Sequence, residues 1–148
     1  MERFRASVLV SLLAAGIALF GAGGQLVVVV HPDSGITHLS REEVARIFMG
    51  SQKRFASGLV ALPVEPVAPE AIRERFYQLL VNLPLPQVRS YWAQMYFSGQ
   101  AQPPRQVKDE EEVVEIVSAN KGAVGFLEED KPIRKVRVVL VLGDPVRP

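Results

Sequence analysis

The sequence contains no cysteine. Disulfides, thiolate metal sites and cysteine nucleophiles are thereby excluded together, and core packing alone must hold the fold. Histidine is scarce, with only His31 and His38. One follows a strand and the other precedes a helix, with no spaced third ligand, so no metal is expected. A surplus of positive charge is also missing: 17 Lys and Arg face 16 Asp and Glu, a formal net charge of +1. Nucleic acid phosphates, which are held by counterion release to clustered cations, are not an expected partner. No G-x-S-x-G elbow and no nucleophile–base pair is visible, so the expectation is a non-enzyme without cofactor.

What the chain does have begins at its N-terminus. Arg3 and Arg5 outweigh Glu2, an apolar run extends from Val8 to Phe20, and Gly21, Ala22, Gly23 and Gly24 follow. This is the pattern of an export signal over residues 1–24, with a mature domain over residues 25–148 in the periplasm. A retained membrane anchor is the competing reading, since no charge occurs between Arg5 and Asp33. The glycine cluster, however, breaks the run short of the ~20 residues that a span needs. Loss of the leader removes two arginines and one glutamate, leaving basic and acidic residues equal in number.

The mature part reads as alternating strands and helices. Gln25 to His31 is a β-branched run suited to a buried strand, and Pro32 to Gly35 ends it as a turn. Ser40 and Glu43 have capping-box spacing, opening a helix that buries Val44, Ile47 and Phe48 and stops at Gly50. Leu59 to Val64 reads as a second strand. Pro63, Pro66 and Pro69 then argue against a ladder or a helix until the last of them, expected in a first helical turn. From there Ile72, Phe76, Leu79 and Leu80 recur at helical spacing. A third helix follows Pro84 and Pro86 and carries Val88, Tyr91, Trp92, Met95 and Tyr96. Gln100 to Gln106 reads as a loop, and residues 108–120 as a fourth helix with Val113, Ile116 and Val117 inward. Ala123 to Leu127 and Val136 to Leu142 are the last strands. The sum is one α/β domain, a mixed sheet of about four strands flanked by about four helices.

The strand–turn–helix stretch from Leu59 to Val81 draws attention because helix starts after strands bind anions. Arg73 and Arg75 are the cations there, and their guanidinium forks suit phosphate or carboxylate. The plainer alternative is a solvated helix face with Glu70 and Glu74 as local partners. Tyr91, Trp92, Tyr96 and Phe97 form a cluster of which part should enter the core, Trp92 first. Any exposed remainder would mark an interaction surface.

Four segments together carry a family resemblance: VVVVHPDSGITHLSREEVARIFMG, ALPVEPVAPEAIRERFYQLL, YWAQMYFSGQAQPPRQV and NKGAVGF. Ile47, Phe48, Met49 and Gly50 match a helix ending Ile-Phe-x-Gly, and Gly122 to Phe126 match a late Gly-x-Ile-Gly-Tyr strand. The chain resembles the phosphate-type periplasmic substrate-binding proteins of ABC transporters, and more closely their short, one-lobe-sized relatives. The resemblance implies a single-lobe periplasmic-binding-protein-like fold and non-enzymatic solute binding in phosphate transport. It further implies phosphate or another small anion as ligand and ABC transporter membrane subunits as partners. Ligand contacts would come from the helix starts, at Ser40 and at Glu70, Ala71, Ile72 and Arg73. The sequence departs from the family pattern at that second start. Glu70, Ala71 and Ile72 stand where Ser-Gly-Thr is usual, Arg73 keeps the arginine place, and Pro66 replaces an upstream strand arginine. The departure supports a second expectation, a periplasmic protein-interaction or sensory module that kept the lobe and lost the ligand.

Overall fold

Five consecutive residues from Leu26 to Val30 are apolar, four of them valine, and every one is buried. They form β1, in a computed structural model that describes residues 24–130 and 134–143. The export signal read over residues 1–24 thus lies almost wholly outside the described residues. The remaining strands are β2 (Leu62–Pro66), β3 (Arg105–Val107), β4 (Ala123–Glu128) and β5 (Arg137–Leu142). They assemble into one sheet in the order β3-β2-β4-β1-β5. β2 runs parallel to β3 and β4, whereas β1 is antiparallel to both β4 and β5. Val28 pairs with Phe126 on one side and Leu140 on the other, and the β5 register slips after it.

Among the described residues four helices cover the sheet: α1 (Arg41–Phe48), α2 (Glu70–Val81), α3 (Leu85–Phe97) and α4 (Glu110–Ala119). Strand residues alternate between faces, and the two cores follow that alternation. Leu26, Val28, Val30, Val124 and Phe126 pack with residues of α1, α2 and α3. Val27, Val29, Val64, Val107 and Leu127 pack with Val113 and Val117 of α4. On the larger side Phe76 stacks on Phe126 with ring centroids 3.6 Å apart, and Phe48 meets Phe76 edge-on at 4.9 Å. On the smaller side Gly125 lets α4 approach closely. A Cβ there would lie 2.5 Å from Val113 Cγ1, so the glycine of the Gly-x-Ile-Gly-Tyr-like strand is a packing requirement.

The α/β reading holds, with differences of detail. Among the described residues the sheet has five strands, because Arg105 to Val107 joins the edge of β2 although Arg105 and Gln106 read as loop. The central strand is shifted toward Pro66 and contains two of the prolines expected to exclude it. Alternation explains the tolerance. Leu62 N–H donates to Gly122 O on the β4 side, and Val67 N–H donates to Val107 O on the β3 side. The N–H that Pro63 lacks therefore faces the β3 side, ahead of the first β3 pair at Val64. The one that Pro66 lacks faces the β4 side, beyond the last β4 pair at Val64. Neither proline costs a ladder bond. Pro69 is the N-cap of α2, one residue ahead of the expected first turn. Asp109 likewise caps α4, accepting from Glu112 N–H at 3.0 Å, so that helix is shorter than residues 108–120. Ser40 caps α1 as the capping-box spacing anticipates, with Glu43 N–H donating to Ser40 Oγ at 3.1 Å, while the Glu43 carboxylate accepts from the Ser40 hydroxyl at 3.3 Å.

Candidate functional site

β2 and β3 are parallel, so the turns leaving them open α2 and α4 at one end of the sheet, on opposite faces. Such an end is where a solute would meet helix N–H groups. Here the chain's own carboxylates occupy it. Glu70 Oε1 is 2.6 Å from Arg89 Nη2 of α3, and Asp109 caps α4. The buried Glu110 carboxylate accepts from Glu128 N–H at 2.6 Å.

Behind the α2 start lies a buried polar group. Glu65 points from β2 to the α2 face, since its neighbour Val64 points to the α4 face. Arg73 and Tyr77, one helical turn apart, both reach it. Arg73 Nη2 lies 3.1 Å from Glu65 Oε1, with side-chain exposures of 10% and 4%. Tyr77 OH donates to Glu65 Oε2 at 2.6 Å, and Gln106 Nε2 of β3 donates to Glu65 Oε1 at 3.3 Å. Both carboxylate oxygens are therefore engaged. Arg73 Nε is buried and has no hydrogen-bond partner among the described residues. Burial first, and then the Glu65 carboxylate beside it, push the Tyr77 phenol well above its usual 10.0.

That shift has a definite sign. The unfolded chain releases the phenol proton near the ordinary value, while the folded protein still holds it. At alkaline pH the unfolded state then binds fewer protons, and stability falls as pH rises beyond about 10. Tyr77→Phe should flatten this alkaline loss in urea denaturation measured across pH. The tyrosinate absorbance that the substitution removes should appear in the wild type only as the protein unfolds.

The sequence-derived candidates are dispersed. Ser40 opens α1 beside the last turn of α2, where Arg41 Nη1 donates to Leu79 O at 2.9 Å. Glu70 opens α2 itself, roughly 14 Å along the axis at 1.5 Å per residue. The two helix starts are not brought together. Ala71 is exposed and Ile72 is buried in the larger core. Arg73 turns inward to Glu65, and Arg75 Nη1 donates to Gly24 O at 2.9 Å; among the described residues neither forms an ion pair with Glu70 or Glu74. His38 is exposed, and His31 Nδ1 accepts from Asp33 N–H at 2.9 Å. Among the described residues no cluster of three His, Cys, Asp or Glu could hold a metal ion. Glu65 and Tyr77 are not among the sequence-derived candidates. The available signal was a lone carboxylate within an apolar strand, which requires a partner, and a tyrosine four residues after the arginine.

No protein-family model and no curated protein matches the chain. Solved structures do. An ABC-type phosphate transport receptor from Vibrio cholerae superimposes with a TM-score of 0.61 at 18% identity, covering 78% of this chain and 45% of the receptor. PstS from Borrelia burgdorferi gives 0.59 at 17% identity, covering 78% and 46%. A Clostridium perfringens structure with bound phosphate gives 0.61 at 11% identity, covering 78% and 44%. The fold is that of a periplasmic-binding-protein lobe. At these identities the likeness is one of fold, and the chain spans less than half the length of each of these proteins. Among the described residues no helix is long and apolar enough to cross a membrane.

Proposed function

We propose that the protein is an exported, non-enzymatic interaction module of the periplasm, built on a phosphate-type binding lobe that no longer takes phosphate. The observation that carries this reading is the Glu65–Arg73 pair. Arg73 is the arginine that the family resemblance assigns to the anion, and its guanidinium is committed to a buried carboxylate of the same chain. A phosphate dianion arriving at the α2 start would also meet the Glu70 carboxylate, which already complements the helix dipole. Solute binding in phosphate transport, with ABC transporter membrane subunits as partners, is the second reading. The fold shared with a phosphate-bound protein favours it, as does the buried Arg73 Nε, which has no partner among the described residues.

Calorimetric titration with phosphate at moderate salt separates the two. The module reading expects no heat at millimolar phosphate. Micromolar binding that disappears in a folded Arg73→Lys variant would establish the second reading instead.

A further inference from the structure

Five large apolar side chains are prominently exposed among the described residues: Val60, Val67, Tyr96, Phe97 and Val141. Three of them, Val60, Tyr96 and Phe97, line one groove of about 1090 Å³ at the end of the sheet where β2 begins. Phe97, the last residue of α3, is 87% exposed, an orientation that a soluble surface has no packing reason to keep. The groove runs between the C-terminal end of α1, the entry to β2 and the loop leading into β3. Its volume lies slightly above the roughly 300–1,000 Å³ typical of small-molecule pockets, and it is open rather than enclosed. An aromatic rim over an open groove suits a polypeptide better than a small solute.

Charge defines the occupant further. Lys53 and Arg105 line the groove, no Asp or Glu does, and neither cation forms an ion pair among the described residues. The chain's lack of a general basic excess argues against nucleic acid. We infer that this groove binds an acidic peptide segment of a partner protein, seating an apolar side chain against Phe97 and Tyr96 while its carboxylates face Lys53 and Arg105. Complementary charge would set the approach and register, and the aromatic contact would carry most of the affinity. The inference rests on the interaction-module reading and gives it a surface and a partner chemistry.

A built-in reporter makes the test direct. Trp92 is the sole tryptophan, and its ring underlies the groove at Gly50, where an added Cβ would lie 2.7 Å from Trp92 Cη2. The experiment is selection from a random peptide library displayed on phage. Tryptophan-free synthetic versions of the enriched peptides are then titrated against the protein by Trp92 fluorescence. Phe97→Ser and the double variant Lys53→Glu/Arg105→Glu change exposed side chains only, and circular dichroism verifies their fold. The expected result is enrichment of acidic peptides bearing an aromatic or aliphatic residue, with affinity lowered about tenfold or more by either variant and weakened by salt. Enriched peptides that are neutral or basic, or that bind both variants unchanged, would overturn the groove assignment and leave the module reading standing. Failure to enrich any peptide would overturn it as well. Concentration-dependent self-association abolished by Phe97→Ser would assign the face to a second copy of the chain and also overturn it. The module reading fails separately, through phosphate heat, which no peptide titration measures.

Discussion

Arg73→Ala is expected to destabilise the protein by about 3–5 kcal/mol, the range for removing one partner of a buried ion pair. The Glu65 carboxylate would stay buried with only the Tyr77 hydroxyl and the Gln106 amide as donors. Against a total stability of about 5–15 kcal/mol for a domain of ordinary size, that is a large share. The pair as a whole is worth much less, because desolvating two ions offsets most of their attraction. Glu65→Leu combined with Arg73→Met should therefore cost clearly less than Arg73→Ala alone, a strongly non-additive cycle. Urea denaturation of the three variants reads this out. A cost below about 1 kcal/mol for Arg73→Ala would place the guanidinium among solvent-screened surface pairs.

Phe76→Ala is expected to cost a similar amount, about 3–5 kcal/mol, for a different reason. Its ring is fully buried, stacked on Phe126 and edge-on to both Phe48 and Tyr77. Removal would leave a cavity that joins α1, α2 and the sheet, elements whose contacts converge on this ring. Phe97→Ala, a chemically identical change on the exposed end of α3, should stay within about 0.5 kcal/mol. Thermal or urea denaturation of the two variants side by side separates core from surface phenylalanine. Equal effects would mean that the groove rim is itself part of the packed structure.

The contrast between these phenylalanines also shows how far the sequence can be read. β1 is legible because both faces of its valine run are buried, and that burial needs no knowledge of partners. The α1 start is legible because a capping box is local, linking Ser40 only to Glu43. β3 is not, since Arg105 and Gln106 have polar side chains and owe their strand conformation to the free edge of β2. Nor are the prolines of β2, whose harmlessness depends on where the neighbouring strands begin and end. The candidate site follows the same division. Arg73 could be picked out, and its helix was correctly anticipated. Its partner carried only the weaker signal of a lone carboxylate in an apolar stretch, because Glu65 lies on a strand whose side-chain direction is fixed only once the α4 core claims Val64. The separation of Ser40 from Glu70 likewise follows from how α1 and α2 pack, which no local pattern encodes.

The Arg73 guanidinium is occupied from within by Glu65, and nuclear magnetic resonance of the arginine side-chain N–H signals during phosphate addition puts that occupancy to the test. The buried Arg73 Nε–H should exchange slowly with solvent and stay unshifted up to millimolar phosphate. A saturable shift of the Arg73 signals at micromolar phosphate would instead show the guanidinium open to the anion and return the protein to the solute-binding reading.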